Sequence, residues 1–165
     1  MAAESKAAQS GPLAGCIQEF KVRLTTFTDY SLRVLIYLGT HSNQRAAVGE
    51  IADAYGISKN HLMKVILFLV EEGYVATTRG RGGGVQLKLN PDRIRIGDVV
   101  RKSEADSVLV ECFSQDTSAC RIDSACRLRS AFHKASQAFY SVLDTYTLAD
   151  LIVNRATMMR LLRIA

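Results

Sequence analysis

From residue 23 onward, apolar positions recur along the chain with the period of helices, and glycines interrupt the pattern at a few points. In "VRLTTFTDYSLRVLIYLG", Leu32, Leu35 and Ile36 follow helical spacing. Thr28 or Asp29 is expected to cap the start of this helix, and Gly39 to mark its end. A second, short helix is expected from Val48 to Tyr55, then a tight turn at Gly56 and a longer helix capped by Ser58. In the longer helix Leu62, Val65, Ile66, Leu69 and Val70 form one apolar stripe, and Gly73 is its predicted C′ residue. Helix, glycine turn, helix is the signature of a helix-turn-helix.

The period then shortens. Val75–Thr78 and Val85–Leu89 read as strands flanking the glycine-rich tip "RGRGGG", a hairpin that Pro91 ends. "IRIGDVVRKSEA" predicts a short helix, and a polar cysteine-bearing loop spans 112–126. From Leu128 a helical stripe of Leu128, Ala131, Phe132, Ala135, Phe139, Val142, Leu143 and Tyr146 runs on, and "TLAD" at 147–150 resembles a capping box. So long a stripe outside a winged-helix core needs a partner surface, and a second copy of the chain is the economical one. The expected architecture is mainly α: a winged helix-turn-helix with a two-stranded wing, a cysteine cluster loop and a long C-terminal dimerisation helix. Its divisions are a disordered extension (1–21), a DNA-binding domain (22–90), the loop and dimerisation helices (91–154) and a C-terminal tail (155–165).

Charge sharpens this picture. A formal +5 over 165 residues, with pI near 9.2, favours a polyanionic partner, with double-stranded DNA the first candidate. No stretch approaches the roughly 20 apolar residues of a membrane span. The N-terminus lacks the apolar run of a signal peptide, so no membrane partner is expected and the cytoplasm is the expected location. Thiols there stay reduced, which disfavours a structural disulfide.

In a winged helix the second helix offers its first residues to base edges in the major groove. Here these are Ser58, Lys59, Asn60, His61 and Lys64. Asn can bond adenine bidentately and Lys can donate to guanine. Arg79 and Arg81 of the wing can meet phosphates or enter the minor groove. A charged helix face beside a flexible turn is the plain alternative, and His61 alone reads as a surface residue.

Three of the four cysteines, Cys112, Cys120 and Cys126, lie in "CFSQDTSACRIDSAC". Three thiolates in a polar loop make a soft-ligand site for zinc or an iron–sulfur cluster. Seven residues separate the first pair and five the second, wider than the usual zinc spacing and suited to a larger ligand. No Ser–His–Asp arrangement, phosphate loop or paired-carboxylate motif stands out, and no enzyme is expected.

"RLTTFTDYSLRVLIYL", "ISKNHLMKVILFLVEEGYV", "RGRGGGVQL", the three cysteines and "YTLADLI" together resemble the NsrR-type nitric-oxide-sensing repressors, a branch of the Rrf2 winged-helix regulators. The resemblance covers residues 23–154. It implies a homodimeric repressor on a palindromic operator, with an iron–sulfur cluster that nitric oxide attacks, releasing DNA under nitrosative stress. The cluster is expected to be [4Fe-4S], with [2Fe-2S] the alternative. Cys112, Cys120 and Cys126 are the implied ligands, and Asp29 of the partner subunit the implied fourth. From the residues alone Asp29 reads first as a helix cap, and Cys16 is another conceivable ligand. The sibling IscR type carries a histidine three residues after the last cysteine, where this chain has Arg129; the nearest following histidine is His133. A regulator of the same family sensing redox state, iron–sulfur supply or zinc is the alternative function. Family members begin close to "RLT", so the natural start is expected at a GTG codon for Val22.

Overall fold

The structure is a computed structural model and describes residues 23–41, 44–80, 82–107, 122 and 126–164. The expectations placed on residues 1–22, on Arg81 and on most of the 112–126 loop lie outside the described residues.

Helix α1 spans Thr26–Thr40. Its cap is neither Thr28 nor Asp29. Thr25 holds the extended N-cap conformation, and its hydroxyl accepts a hydrogen bond from the Thr28 amide at 3.2 Å. Gly39 is not the helix end either. It lies inside the last turn, where a Cβ would come within 3.1 Å of Ile152 Cδ1, so glycine there permits close packing.

Helices α2 (Val48–Tyr55) and α3 (Lys59–Glu71) form the predicted pair. Glu50 accepts from the Ala47 amide at the start of α2. Gly56 ends that helix at φ +64°, in the left-handed region where a side chain is strained. Ser58 occupies the N-cap position of α3 but makes no side-chain capping hydrogen bond. The C-terminus of α3 is a Schellman motif: Gly73 N bonds Val70 O and Tyr74 N bonds Leu69 O, with Gly73 at φ +77°. Leu62, Val65, Ile66 and Leu69 are buried as their spacing predicts, while Val70 is only partly covered.

Strands β1 (Val75–Thr78) and β2 (Gly84–Leu87) pair antiparallel, with Val75 opposite Leu87 and Thr78 opposite Gly84. The second strand is shorter than expected. Lys88 N still reaches Tyr74 O, but the chain then bends into a 3-10 turn, Pro91–Arg93. Ala46 adds a bridge to the outer edge of β2 through two 2.9 Å hydrogen bonds with Val85. A Cβ on Gly84 would collide with the Ala46 carbonyl oxygen, so that edge contact needs glycine.

Helix α4 (Ile96–Ser103) packs on α1, and the segment before it bridges to residues 146–148. Helix α5 (Arg127–Leu143) buries none of its residues. Tyr146 falls beyond its end. Arg101 of α4 holds α5 by a bidentate pair to Asp144 and by stacking over Tyr140 at 4.8 Å. Helix α6 (Leu148–Leu151) opens with the expected capping box, Thr147 and Asp150 bonding each other's backbone amides. Residues assigned to the tail form a further helix, α7 (Arg155–Leu162), whose Arg155 donates to the Thr40 carbonyl at 2.7 Å.

Candidate functional site

Two places on this frame carry chemistry. The first is the outer face of α3. Successive residues turn about 100° around a helix, so burying Leu62, Val65, Ile66 and Leu69 turns Asn60, Met63, Lys64 and Leu67 outward as one face. Ser58 stands exposed at its head, with a hydroxyl the helix does not use for capping. His61 is also exposed, but the helical turn sets it off to the side of this face. The Lys59 ammonium lies back over α2, 3.2 Å from where a Gly49 Cβ would stand. Arg79 is exposed at the wing, where Gly80 and Gly82 adopt positive φ. Arg45 had no signal in the sequence beyond its charge. It lies beside the wing, donating to the Gln86 side chain at 3.3 Å.

The second place is the start of α1, with the end of α4 packed on it, and Cys126 at the start of α5. Asp29 sits in the first turn of α1 and pairs with Arg33 at 2.9 Å, both side chains nearly half exposed. Arg33 in turn stands 5.7 Å over the ring of Tyr55, the last residue of α2. Burial pushes the Tyr55 hydroxyl up to about 12. The start of α1 is therefore joined by contact to the helix-turn-helix.

Just before Asp29, the α1 cap is locked to the end of α4. The Glu104 carboxylate accepts from the Thr25 amide and the Thr25 hydroxyl, both at 2.8 Å, and from the Thr28 hydroxyl. Thr28 is fully buried, with Ser103 Oγ 2.9 Å from its own hydroxyl. Burial raises the affinity of Glu104 for a proton, yet hydrogen bonds from Thr28, Thr25 and Ser107 outweigh it and hold the carboxyl below its usual range. Glu104 is the C-cap residue of α4, eight positions before Cys112. Sequence reasoning missed this residue because its partners lie 76 to 79 positions away.

Cys126 occupies the N-cap position of α5 as a free, half-buried thiol. It lines a cleft with Arg129, Ser130 and His133, one helical face of α5. Cys112, Cys120 and Cys16 lie outside the described residues. The donors that are described suit a soft cluster with one labile ligand. Cys126 is an unpaired thiol on an open cleft, and Asp29 is a carboxylate relieved of capping by Thr25. Among the described residues no helix is long and apolar enough to cross a membrane.

Residues 24–154 match the Rrf2 family, described as an iron-dependent transcriptional regulator. The chain is 48% identical over 143 residues to the HTH-type transcriptional regulator NsrR of Bacillus subtilis, covering 86% of this chain and 98% of that protein. It is 49% identical over 142 residues to NsrR of Bacillus licheniformis, covering 86% and 99%. Among solved structures it is similar to T. potens IscR, with TM-score 0.63 and 26% identity over 81% of this chain and 88% of that one. It is also similar to CymR, the global cysteine regulator of B. subtilis, with TM-score 0.61 and 26% identity over 79% and 95%.

Proposed function

Because this chain belongs to the Rrf2 family of winged-helix transcriptional regulators, in its NsrR branch, we propose that it is a homodimeric repressor sensing nitric oxide through an iron–sulfur cluster. The observation that carries this reading is the joining, in one chain, of a solvent-facing α3 beside a glycine-rich wing with a cysteine-bearing sequence whose last cysteine, Cys126, is the N-cap of α5. Ser58, Asn60 and Lys64 face the major groove of a palindromic operator. Lys59, His61 and Arg79 border it, Arg81 would add a wing contact from the sequence alone, and Arg45 adds positive charge beside the wing. The unburied apolar face of α5 supports pairing with a second copy, which sets the two reading helices one DNA turn, about 34 Å, apart. Binding and release, rather than turnover, is the work of these residues, and the cytoplasm is its setting.

Cys112, Cys120 and Cys126 would hold the cluster, with Asp29 of the partner subunit as fourth ligand. The thiolate set fits [4Fe-4S], with [2Fe-2S] the alternative. When bound, the group supplies irons to which nitric oxide has access. Asp29 then has two competing partners, the cluster across the interface and Arg33 one turn along its own helix. A change of partner alters what Arg33 offers Tyr55, and so ties cluster occupancy to the helix-turn-helix. That difference in contacts between two states is what any ligand-driven change of affinity requires.

Anaerobic purification followed by native mass spectrometry tests this. A brown dimer carrying iron and sulfide is expected, losing both on Cys112→Ala, Cys120→Ala or Cys126→Ala and losing operator affinity on exposure to nitric oxide. A colourless or zinc-loaded parent protein overturns it in favour of a zinc or thiol-redox regulator.

A further inference from the structure

The fold leaves two large apolar side chains of α3 in solvent: Met63 is 54% exposed and Leu67 59%. Nothing in the core needs them, because the buried stripe of α3 is complete without them. They stand four residues apart and so form a row along the helix. Asn60 and Lys64, also four apart, form the row beside it. The outer face of α3 thus pairs a polar row with an apolar one.

We propose that Met63 and Leu67 are specificity-determining residues that read the 5-methyl groups of thymines in the operator. The inference rests on the reading of α3 as the major-groove helix. Two features select DNA over a protein partner. The apolar row is bordered by Asn60 and Lys64, whose charge and hydrogen-bonding capacity match phosphates and base edges. No acidic side chain interrupts the face until Glu71, at the last turn of the helix. In the major groove the apolar feature of a base-pair edge is the thymine methyl. Asn60 requires an adenine for its bidentate bond, and that adenine brings a thymine on the opposite strand. A polar row reading adenine beside an apolar row meeting methyls is therefore one arrangement for recognising A·T pairs. Met63 lies between Asn60 and Lys64 and is an adaptable thioether chain, suited to following a methyl in either of two neighbouring positions. Leu67, a turn further from the helix start, reaches the outer edge of the site and carries the smaller share.

The test uses the full-length, anaerobically purified protein. An operator is first selected from a random duplex pool with the parent. Each thymine is then replaced by deoxyuridine in both half-sites, which removes the methyl and leaves every hydrogen-bonding group in place. Burial of one methyl corresponds to about a fourfold change in affinity, so one symmetric replacement is expected to weaken the parent by about fifteenfold across two half-sites. Met63→Ala should bind the unmodified operator correspondingly less tightly and lose its sensitivity to deoxyuridine at one position. Leu67→Gln should do the same, more weakly, at another. Both residues are exposed, so unchanged thermal unfolding is expected of either variant. If the parent ignores every deoxyuridine replacement, or if Met63→Ala keeps the parent's full pattern of sensitivity, methyl reading is overturned. Weakened self-association of Met63→Ala with normal operator affinity per dimer overturns it too, by assigning the row to a protein interface. If Lys64→Ala also binds the selected operator as the parent does, then α3 itself is not the reading helix, and the broader assignment fails with it.

Discussion

The helix-turn-helix and α5 are both amphipathic helical segments, and they meet opposite fates. Helix α3 sinks Leu62, Val65, Ile66 and Leu69 to 3% exposure or less against α1, α2 and β1. Helix α5 is longer, with an equally regular stripe, and among its seventeen residues none is buried. Leu128 stays 61% exposed and Val142 59%. Amphipathicity therefore states only that a helix needs a covering surface, and the chain's topology decides whether that surface is intramolecular. The winged helix finds it within the chain. Helix α5 touches mainly α4, through Tyr140, Leu143 and the Arg101–Asp144 pair, and its remaining apolar face stays exposed.

The comparison breaks most sharply by substitution in each stripe. Leu69→Ala should cost about 2–5 kcal/mol of unfolding free energy through the cavity it leaves. Val142→Asp should leave monomer stability within about 0.5 kcal/mol, yet shift sedimentation from dimer to monomer. If Val142→Asp remains a dimer, α5 is not the pairing surface.

Glu104 belongs to neither stripe and ties the start of α1 to the end of α4. Glu104→Ala leaves the Thr25 and Thr28 donors without their acceptor and should destabilise the fold by about 2–3 kcal/mol in chemical denaturation. Its carboxyl is held below 4.5, so the folded state favours the ionised form. The stabilisation is full above the unfolded value and disappears as pH falls through the lower folded value. Parent and Glu104→Gln should therefore differ most at neutral pH and converge as the solution is acidified below about 4.5. A difference that does not change with pH argues that the carboxylate charge is not what holds the cap.

The smallest effect on stability concerns Asp29 and Arg33. An exposed i,i+4 pair contributes about 0.3–0.5 kcal/mol, so Asp29→Ala should barely move the unfolding midpoint. Its expected consequence is functional: a cluster that is lost more readily in air and whose loss no longer couples cleanly to operator release. An Asp29→Ala protein that responds to nitric oxide like the parent would remove Asp29 from the sensor.

Much of this molecule was legible in local patterns. The buried stripe of α3, the left-handed glycines at 56 and 73, the hairpin and the Thr147–Asp150 capping box follow from periods and turn chemistry spanning a few residues. Other features were decided by residues far apart in sequence. Thr25, Thr28 and Asp29 are all competent caps. Thr28 is drawn inward by Ser103 and Glu104, so Thr25 becomes the cap and Asp29 is left to pair with Arg33. Gly39 resembles a helix stop until Ile152 packs against it, and residues 155–162 become a helix laid against Thr40 of α1. The exposure of Met63 and Leu67 was equally hidden. The sequence shows two more apolar residues in an apolar helix, and only the packing of α1, α2 and β1 around the opposite face shows that the core had no place for them. Local propensity sets which conformations a segment favours over a few residues, and long-range packing chooses among the candidates that propensity leaves nearly equal in free energy.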